Sequence, residues 1–218
     1  MVLRSVQVGS LVADIGTDHA FLPIELIKSG KATRVIACDV NEKPLKNAKR
    51  NIEKAGISNI ELRLSDGLQE VAETEVDTVT IAGMGGDLIA DIIKRAPWLK
   101  NDSKLLVLQP MSSADSLRSY LYSEGFNIKK ESAVFDAGRV YTVITAGYDG
   151  VKRQVPLRKI HIGELEYDLS DAATDYITRQ YKKLTNLCGD IRDIEKLKAQ
   201  YEISVKTALD IKTILDNR

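Results

Sequence analysis

The apolar and polar positions of this 218-residue chain fall into two regimes. Up to about residue 125, short apolar runs alternate with segments whose apolar residues recur every three or four positions. Leu11–Ile15 reads as a buried strand that breaks at Gly16 and leads into a helix through about Lys28. Thr33–Val40 is a second buried strand, with Asp39 at its end. Glu42–Ala55 has helical spacing through Leu45, Ala48, Ile52 and Ala55, and Gly56 stands where a glycine closes a helix. Ile60–Ser65 alternates apolar and charged residues before Asp66-Gly67. Val76–Ala82 is β-branched and runs into Gly83-Met84-Gly85-Gly86, followed by a helical Leu88–Arg95. Lys104–Gln109 is another strand, which Pro110 should halt, and Ser112–Glu124 has helical spacing through Leu117 and Leu121. Such alternation predicts a parallel sheet with right-handed helical crossovers. Strands that pass through glycine turns into helices place those turns at the carboxyl edge of the sheet, where open α/β sheets bind ligands.

The second regime starts after Gly125. Phe126–Phe135 and Arg139–Tyr148 are extended runs separated by Asp136-Ala137-Gly138, a hairpin signal. Five parallel strands followed by an antiparallel hairpin is the element order of the class I S-adenosylmethionine (SAM)-dependent methyltransferase fold, an α/β Rossmann-like architecture. A generic Rossmann-like domain with an antiparallel edge is the alternative. Asp149–Pro156 reads as a polar linker. Beyond it Ile177, Tyr181, Leu184 and Cys188 form one apolar stripe. Ile194, Leu197, Tyr201, Ser204, Ala208, Ile211 and Leu215 form another with coiled-coil spacing, and Gly189 lies between the two. The expected organisation is a SAM-binding methyltransferase domain over 1–149 and a C-terminal helical hairpin (coiled coil) over 150–218.

Charge narrows the partners little. Lys and Arg number 31 and so do Asp and Glu, so any nucleic-acid contact has to come from a local basic face. Lys152, Arg153, Arg158, Lys159, Arg179, Lys182 and Lys183 supply one, with Asp171, Asp175 and Asp190 interspersed; a solvated helical face is the plainer reading. Cys38 and Cys188 have no Cys or His at metal-ligand spacing, which predicts no metal site and reduced thiols. The start lacks the apolar run of a signal peptide, and no segment approaches the roughly 20 apolar residues of a membrane span, so a cytoplasmic protein is expected. Neither a membrane nor DNA is an expected partner.

The strand-end residues carry the candidate chemistry. The nicotinamide fingerprint needs three spaced glycines, and here Gly16 is followed by Asp18, His19 and Ala20. A carboxylate at that turn would repel a pyrophosphate and attract a sulfonium or an ammonium, which favours SAM over a dinucleotide. The competing reading is that Asp18 or His19 caps the helix. Asp39 is placed to accept from a ribose diol. Asp66 could take an exocyclic amine, with Gly67 leaving room for a base, although Asp-Gly is also a common turn. Three glycines around Met84 let backbone approach a ligand closely, and the thioether can pack on an aromatic face.

Four stretches in order resemble the TrmK-type bacterial tRNA (adenine-N1)-methyltransferases. They are Asp14-Ile15-Gly16-Thr17-Asp18-His19-Ala20-Phe21-Leu22-Pro23, Arg63-Leu64-Ser65-Asp66-Gly67-Leu68, Ile81-Ala82-Gly83-Met84-Gly85-Gly86 and Leu106-Val107-Leu108-Gln109-Pro110. The family usually has Asn where Met111 stands and Glu where Asp39 stands. The resemblance implies SAM-dependent methylation of N1 of the adenine at tRNA position 22. It implies a cofactor site of Asp14, Gly16, Asp18, His19, Asp39, Val40, Asp66, Gly67, Ala82, Gly83 and Met84. It places Asp18, Gln109 and Pro110 in catalysis, Asp18 facing the charge that develops on the adenine and Gln109 its Watson–Crick edge. Two other functions fit the same residues: a small-molecule methyltransferase using the helical hairpin as a lid or dimer contact, and a non-catalytic SAM- or RNA-binding protein.

Overall fold

The computed structural model describes residues 1–192 and 194–218. After a single turn, α1 (Val2–Ser5), the chain alternates β1 (Ser10–Ile15), α2 (Phe21–Lys28), β2 (Ala32–Asp39), α3 (Glu42–Ala55), β3 (Ile60–Leu64), β4 (Thr78–Gly85), α4 (Gly86–Arg95), β5 (Leu105–Ser112) and α5 (Ala114–Ser123). The hairpin β6 (Phe126–Asp136) and β7 (Arg139–Tyr148) follows, and then α6 (Leu157–Ile162), α7 (Asp171–Ile191) and α8 (Lys198–Asp216). One seven-stranded sheet has the order β3-β2-β1-β4-β5-β7-β6. Strands β1 to β5 pair in parallel and β7 runs antiparallel to β5. The order reverses between β1 and β4, which makes the crevice there the topological switch point.

Local chemistry explains most element ends. Gly56 ends α3 in the left-handed conformation, φ +66°, which costs a glycine no Cβ clash. Ala137 and Gly138 both have positive φ, as a two-residue loop matched to strand twist requires. Ser170 caps α7 by accepting from Ala173 N at 3.2 Å.

Several boundaries differ from the sequence expectation. Strand β5 does not stop at Gln109: it continues through Pro110 to Ser112. Pro110 is opposite Met84, where the ladder register shifts, so the missing N–H leaves no regular bond unmade. Strand β4 likewise runs on through Gly83 and Met84 to Gly85, and α4 starts at Gly86 rather than Leu88. Helix α5 starts at Ala114, because Ser112 still belongs to the strand and Ser113 turns the chain at φ +50°. Gly189 does not separate two helices but lies inside α7. An extra short helix, α6, precedes the pair. From Tyr201 onward the α8 stripe is turned inward, with Ser204, Ala208 and Ile211 buried, whereas Ile194 is exposed and precedes the helix.

The chain forms two compact units. The first comprises residues 1–130 with 143–153, and the second 131–142 with 154–218. A boundary drawn at 149/150 therefore lies close to the second crossing, but the tip of the hairpin belongs with the helices. In the second unit Ala133 and Val140 from that tip pack with Ile162, Leu165, Ile177, Leu184, Ala208 and Ile211. In the first unit Val12, Leu26, Val35, Leu105 and Val107 join Val6 in one apolar cluster, and Ala20, Ile24, Ala48 and Ile52 join α2 to α3.

Candidate active site

The parallel strands deliver their polar ends to one edge of the first unit. At the end of β1 the backbone turns at Gly16, φ +78°, and the N–H groups of Gly16 and Thr17 both donate to the Cys38 carbonyl of β2, at 2.9 and 2.8 Å. A Cβ on Gly16 would collide with the Met84 methyl, so the thioether from β4 lies directly against the β1 turn. Glycine meets both the dihedral and that close approach without strain. Burial pushes the neighbouring Cys38 thiol up to about 12, so it stays protonated and apolar.

Asp14 lies inside the sheet, with its Oδ1 accepting from Thr80 Oγ1 at 2.7 Å. Burial raises its carboxyl above the ordinary aspartate value, while the Thr80 and Thr17 hydroxyls pull it back. Thr17 Oγ1 is likewise buried, against the Asp14 carboxyl.

Beyond the turn, neither Asp18 nor His19 caps α2. The N-cap is Ala20, with no side-chain cap bond. His19 and Ala20 instead hold left-handed φ values of +61° and +55°, and Asn51 Nδ2 clamps the His19 carbonyl at 2.9 Å. Two consecutive non-glycine residues in that region store strain of a kind that concentrates at functional sites. The Asp18 side chain is 67% exposed, with Oδ1 3.4 Å from His19 Nε2. The His19 ring in turn stacks on Phe21, centroids 5.4 Å apart and planes within 15°.

At the end of β2, Asp39 Oδ1 accepts from Asn41 N at 2.8 Å, and Val40 is exposed beside it. After β3 the picture is tighter. Arg95 of α4 holds Asp66 with both ends of its fork, at 2.8 and 3.2 Å, and keeps that carboxyl below its usual range. A Cβ on Gly67 would press on Ile92 at 3.1 Å, so that glycine serves the approach of α4. The structure thus ties Asp66 and Gly67 to α4, a role their turn-like sequence does not announce. A carboxylate has about four lone-pair sites, so Asp66 retains acceptor capacity.

The β4 and β5 ends are stitched together. Gln109 Oε1 accepts from Gly83 N at 2.9 Å, and Nε2 donates to the Pro110 carbonyl at 3.2 Å. Gln109 thereby holds the glycine stretch in place. Pro110 is buried, Ala82 is half-buried, and a Cβ on Gly83 would meet nothing within 4 Å. The edge therefore offers open backbone at Gly83, an acceptor at Asp39 and an exposed carboxylate at Asp18. Sequence reading missed Thr80, Arg95 and Asn51, whose parts depend on contacts 29 to 66 residues away.

Residues 1–144 match the family model described as a methyltransferase domain. The tRNA (adenine(22)-N(1))-methyltransferase of Bacillus subtilis is 38% identical over 151 residues, which cover 66% of this chain and 63% of that enzyme. The crystal structure of the B. subtilis M1A22 tRNA methyltransferase TrmK superposes with a TM-score of 0.86 at 29% identity, covering 98% of this chain and 95% of that one. The chain belongs to the TrmK-type tRNA (adenine-N1)-methyltransferase family. Streptococcus pneumoniae Sp1610, solved in complex with S-adenosyl-L-methionine, is 31% identical with a TM-score of 0.82, covering 98% of this chain and 96% of that chain. The TrmK likeness therefore extends over the C-terminal helices, beyond the region the family model matches. No helix among the described residues is long and apolar enough to cross a membrane.

Proposed function

We propose that this protein is a SAM-dependent methyltransferase that methylates N1 of the adenine at position 22 of tRNA. The observation that carries the reading is the set of strand ends at the β1/β4 switch point, on a chain whose full length follows the TrmK fold. When bound, SAM supplies an electrophilic methyl group on a positively charged sulfur. Asp39 would accept from the ribose hydroxyls. Met84 and the open backbone at Gly83 would border the cofactor, with Asp14, Gly16, His19, Val40, Asp66, Gly67 and Ala82 completing the proposed site.

Adenine N1 attacks with a lone pair in the ring plane, so no proton has to leave first, and the ring becomes cationic as the bond forms. A fixed carboxylate close to that ring stabilises the developing charge more than the neutral base. Asp18 fits this part, because its carboxylate is exposed and not locked into a helix cap. Gln109 and Pro110 shape the floor. Gln109 engages Gly83 and Pro110 within the protein, so it acts first as the residue that orders the β4–β5 edge. The target base has to leave its stack to reach such an edge.

The second unit is proposed to bear on the tRNA. Of the seven cations the sequence suggests, four are held by acids of the chain itself: Arg153 by Asp149, Arg158 by Glu166, Lys159 by Glu164 and Arg179 by Asp175. Lys182 stands exposed on α7 and is the better candidate for phosphate contact. The deciding experiment is to incubate the protein with total tRNA and methyl-labelled SAM and map the modified nucleosides. Label in 1-methyladenosine at position 22 is expected. Label at another position or in a metabolite, or tight SAM binding without turnover, overturns the assignment.

A further inference from the structure

Of the stacked His19–Phe21 pair, Phe21 has no part in the cofactor contacts proposed above, and its placement is unusual. Phe21 is the first residue of α2, where an aromatic ring normally seeks the core, yet it is 66% exposed. The apolar contact of this turn with α3 is made instead by Ala20, which is fully buried with Ile24, Ala48 and Ile52. Phe21 is therefore not needed to close the α2–α3 interface. Its ring is backed on one side by the His19 imidazole, 5.4 Å away and nearly parallel. His19 is fixed by a left-handed backbone and by the Asn51 clamp on its carbonyl, and it lies 3.4 Å from the Asp18 carboxylate.

We infer that Phe21, backed by His19, is the platform on which the extruded target base stacks. The inference rests on the tRNA-methyltransferase reading of the site. An exposed aromatic face held rigid by a second ring is the feature that captures an unstacked base, because every base has a π-face. Holding the ring in advance lowers the ordering cost of binding. The adjacent Asp18 carboxylate would then meet the edge of a base seated on Phe21. A flat ring becoming cationic over an aromatic face also gains attraction as methylation proceeds.

The test compares the full-length wild type with Phe21→Leu and Phe21→Tyr. The substrates are a tRNA transcript and the same transcript carrying 2-aminopurine at position 22. Leucine keeps an apolar side chain and removes the ring; tyrosine keeps the ring. Phe21→Leu should raise the KM for tRNA roughly 10-fold, within the range for losing one base–aromatic stack. It should leave the 2-aminopurine of the complex brighter than in the wild-type complex, with SAM affinity and melting temperature unchanged. Phe21→Tyr should restore both readouts. If Phe21→Leu matches the wild type in KM and fluorescence, or loses SAM affinity in parallel, Phe21 is not the platform. A wild-type protein that leaves tRNA unmethylated overturns the functional reading, and the platform with it.

Discussion

At the carboxyl edge of the sheet, acidic groups are left open: Asp18 is largely exposed and Asp39 uses one oxygen for a backbone turn. In the C-terminal unit, acids and bases close on each other within a few residues. Arg179 meets Asp175 one helical turn away at 2.6 Å, and Lys159 meets Glu164 at 2.8 Å. Both regions are rich in charge; at the strand ends Asp66 is held by Arg95, while Asp18 and Asp39 have no lysine or arginine at ion-pair distance among the described residues. Exposed i,i+4 pairs contribute only about 0.3–0.5 kcal/mol, so pairing in the second unit matters less for stability than for removing charges from use. The contrast teaches that a count of basic residues overstates a nucleic-acid surface, while a few unpaired acids at strand ends mark a reaction site.

The contrast can be broken first by its largest expected effect. Ile211→Ala opens a hole in the fully buried cluster of the second unit and should destabilise the protein by roughly 2–5 kcal/mol, read by urea unfolding. SAM affinity, measured calorimetrically in the absence of denaturant, should stay as it was. A parallel loss of SAM binding would mean that the edge depends on that cluster. Next comes Asp18→Ala. Single-turnover methylation at saturating SAM and tRNA should fall by about 100-fold, or about 2.7 kcal/mol, as for one lost preorganised electrostatic contact. SAM affinity should fall less than the rate, and thermal unfolding should be unmoved. A near-normal rate with collapsed SAM affinity would make Asp18 a cofactor ligand alone.

Asp39→Ala should weaken SAM by about 1–3 kcal/mol, the scale of a lost hydrogen bond to a charged acceptor, as calorimetry would show. Unchanged affinity would remove the ribose assignment. The smallest effect is expected for Lys182→Ala. If this exposed lysine contacts one phosphate, tRNA affinity should drop modestly, and the slope of log affinity against log salt should shrink by about 0.7–0.9. An unchanged slope would return the α7 face to plain solvation.

How much of this was legible follows from the range of the interactions. Helix α3 is readable to the residue because its apolar spacing and the closing Gly56 are local signals. The turn after β1 and the hairpin are readable for the same reason, being governed by glycine at positive φ. Pro110 misleads, because proline reads as a strand stop wherever the ladder is regular, and the register shift opposite Met84 lies on another strand. Gly189 misleads similarly: a glycine marks a helix end only when the chain turns there, and α7 carries through it. In the site, residue types at the strand ends point to the chemistry. Their partners stay hidden, since Asp66 gives no hint of Arg95, nor His19 of Asn51. The capping reading of Asp18 and His19 yields to a tertiary demand: Ala20 is buried against α3, and His19 and Ala20 themselves take up the backbone strain.

The partition of the hairpin sets an order of events on the ribosome. Ala133 and Val140 are made well before Ile177, Leu184 and Ile211, the side chains that cover them. During vectorial synthesis the strands of the first unit are complete once residue 153 has emerged, while the hairpin tip is still bare. A nascent chain halted in that interval displays an apolar β-tip to solvent, the kind of surface that chaperones hold. Release of the last helix then acts as the closing step of folding, and a nonsense codon between residues 153 and 162 leaves that tip uncovered.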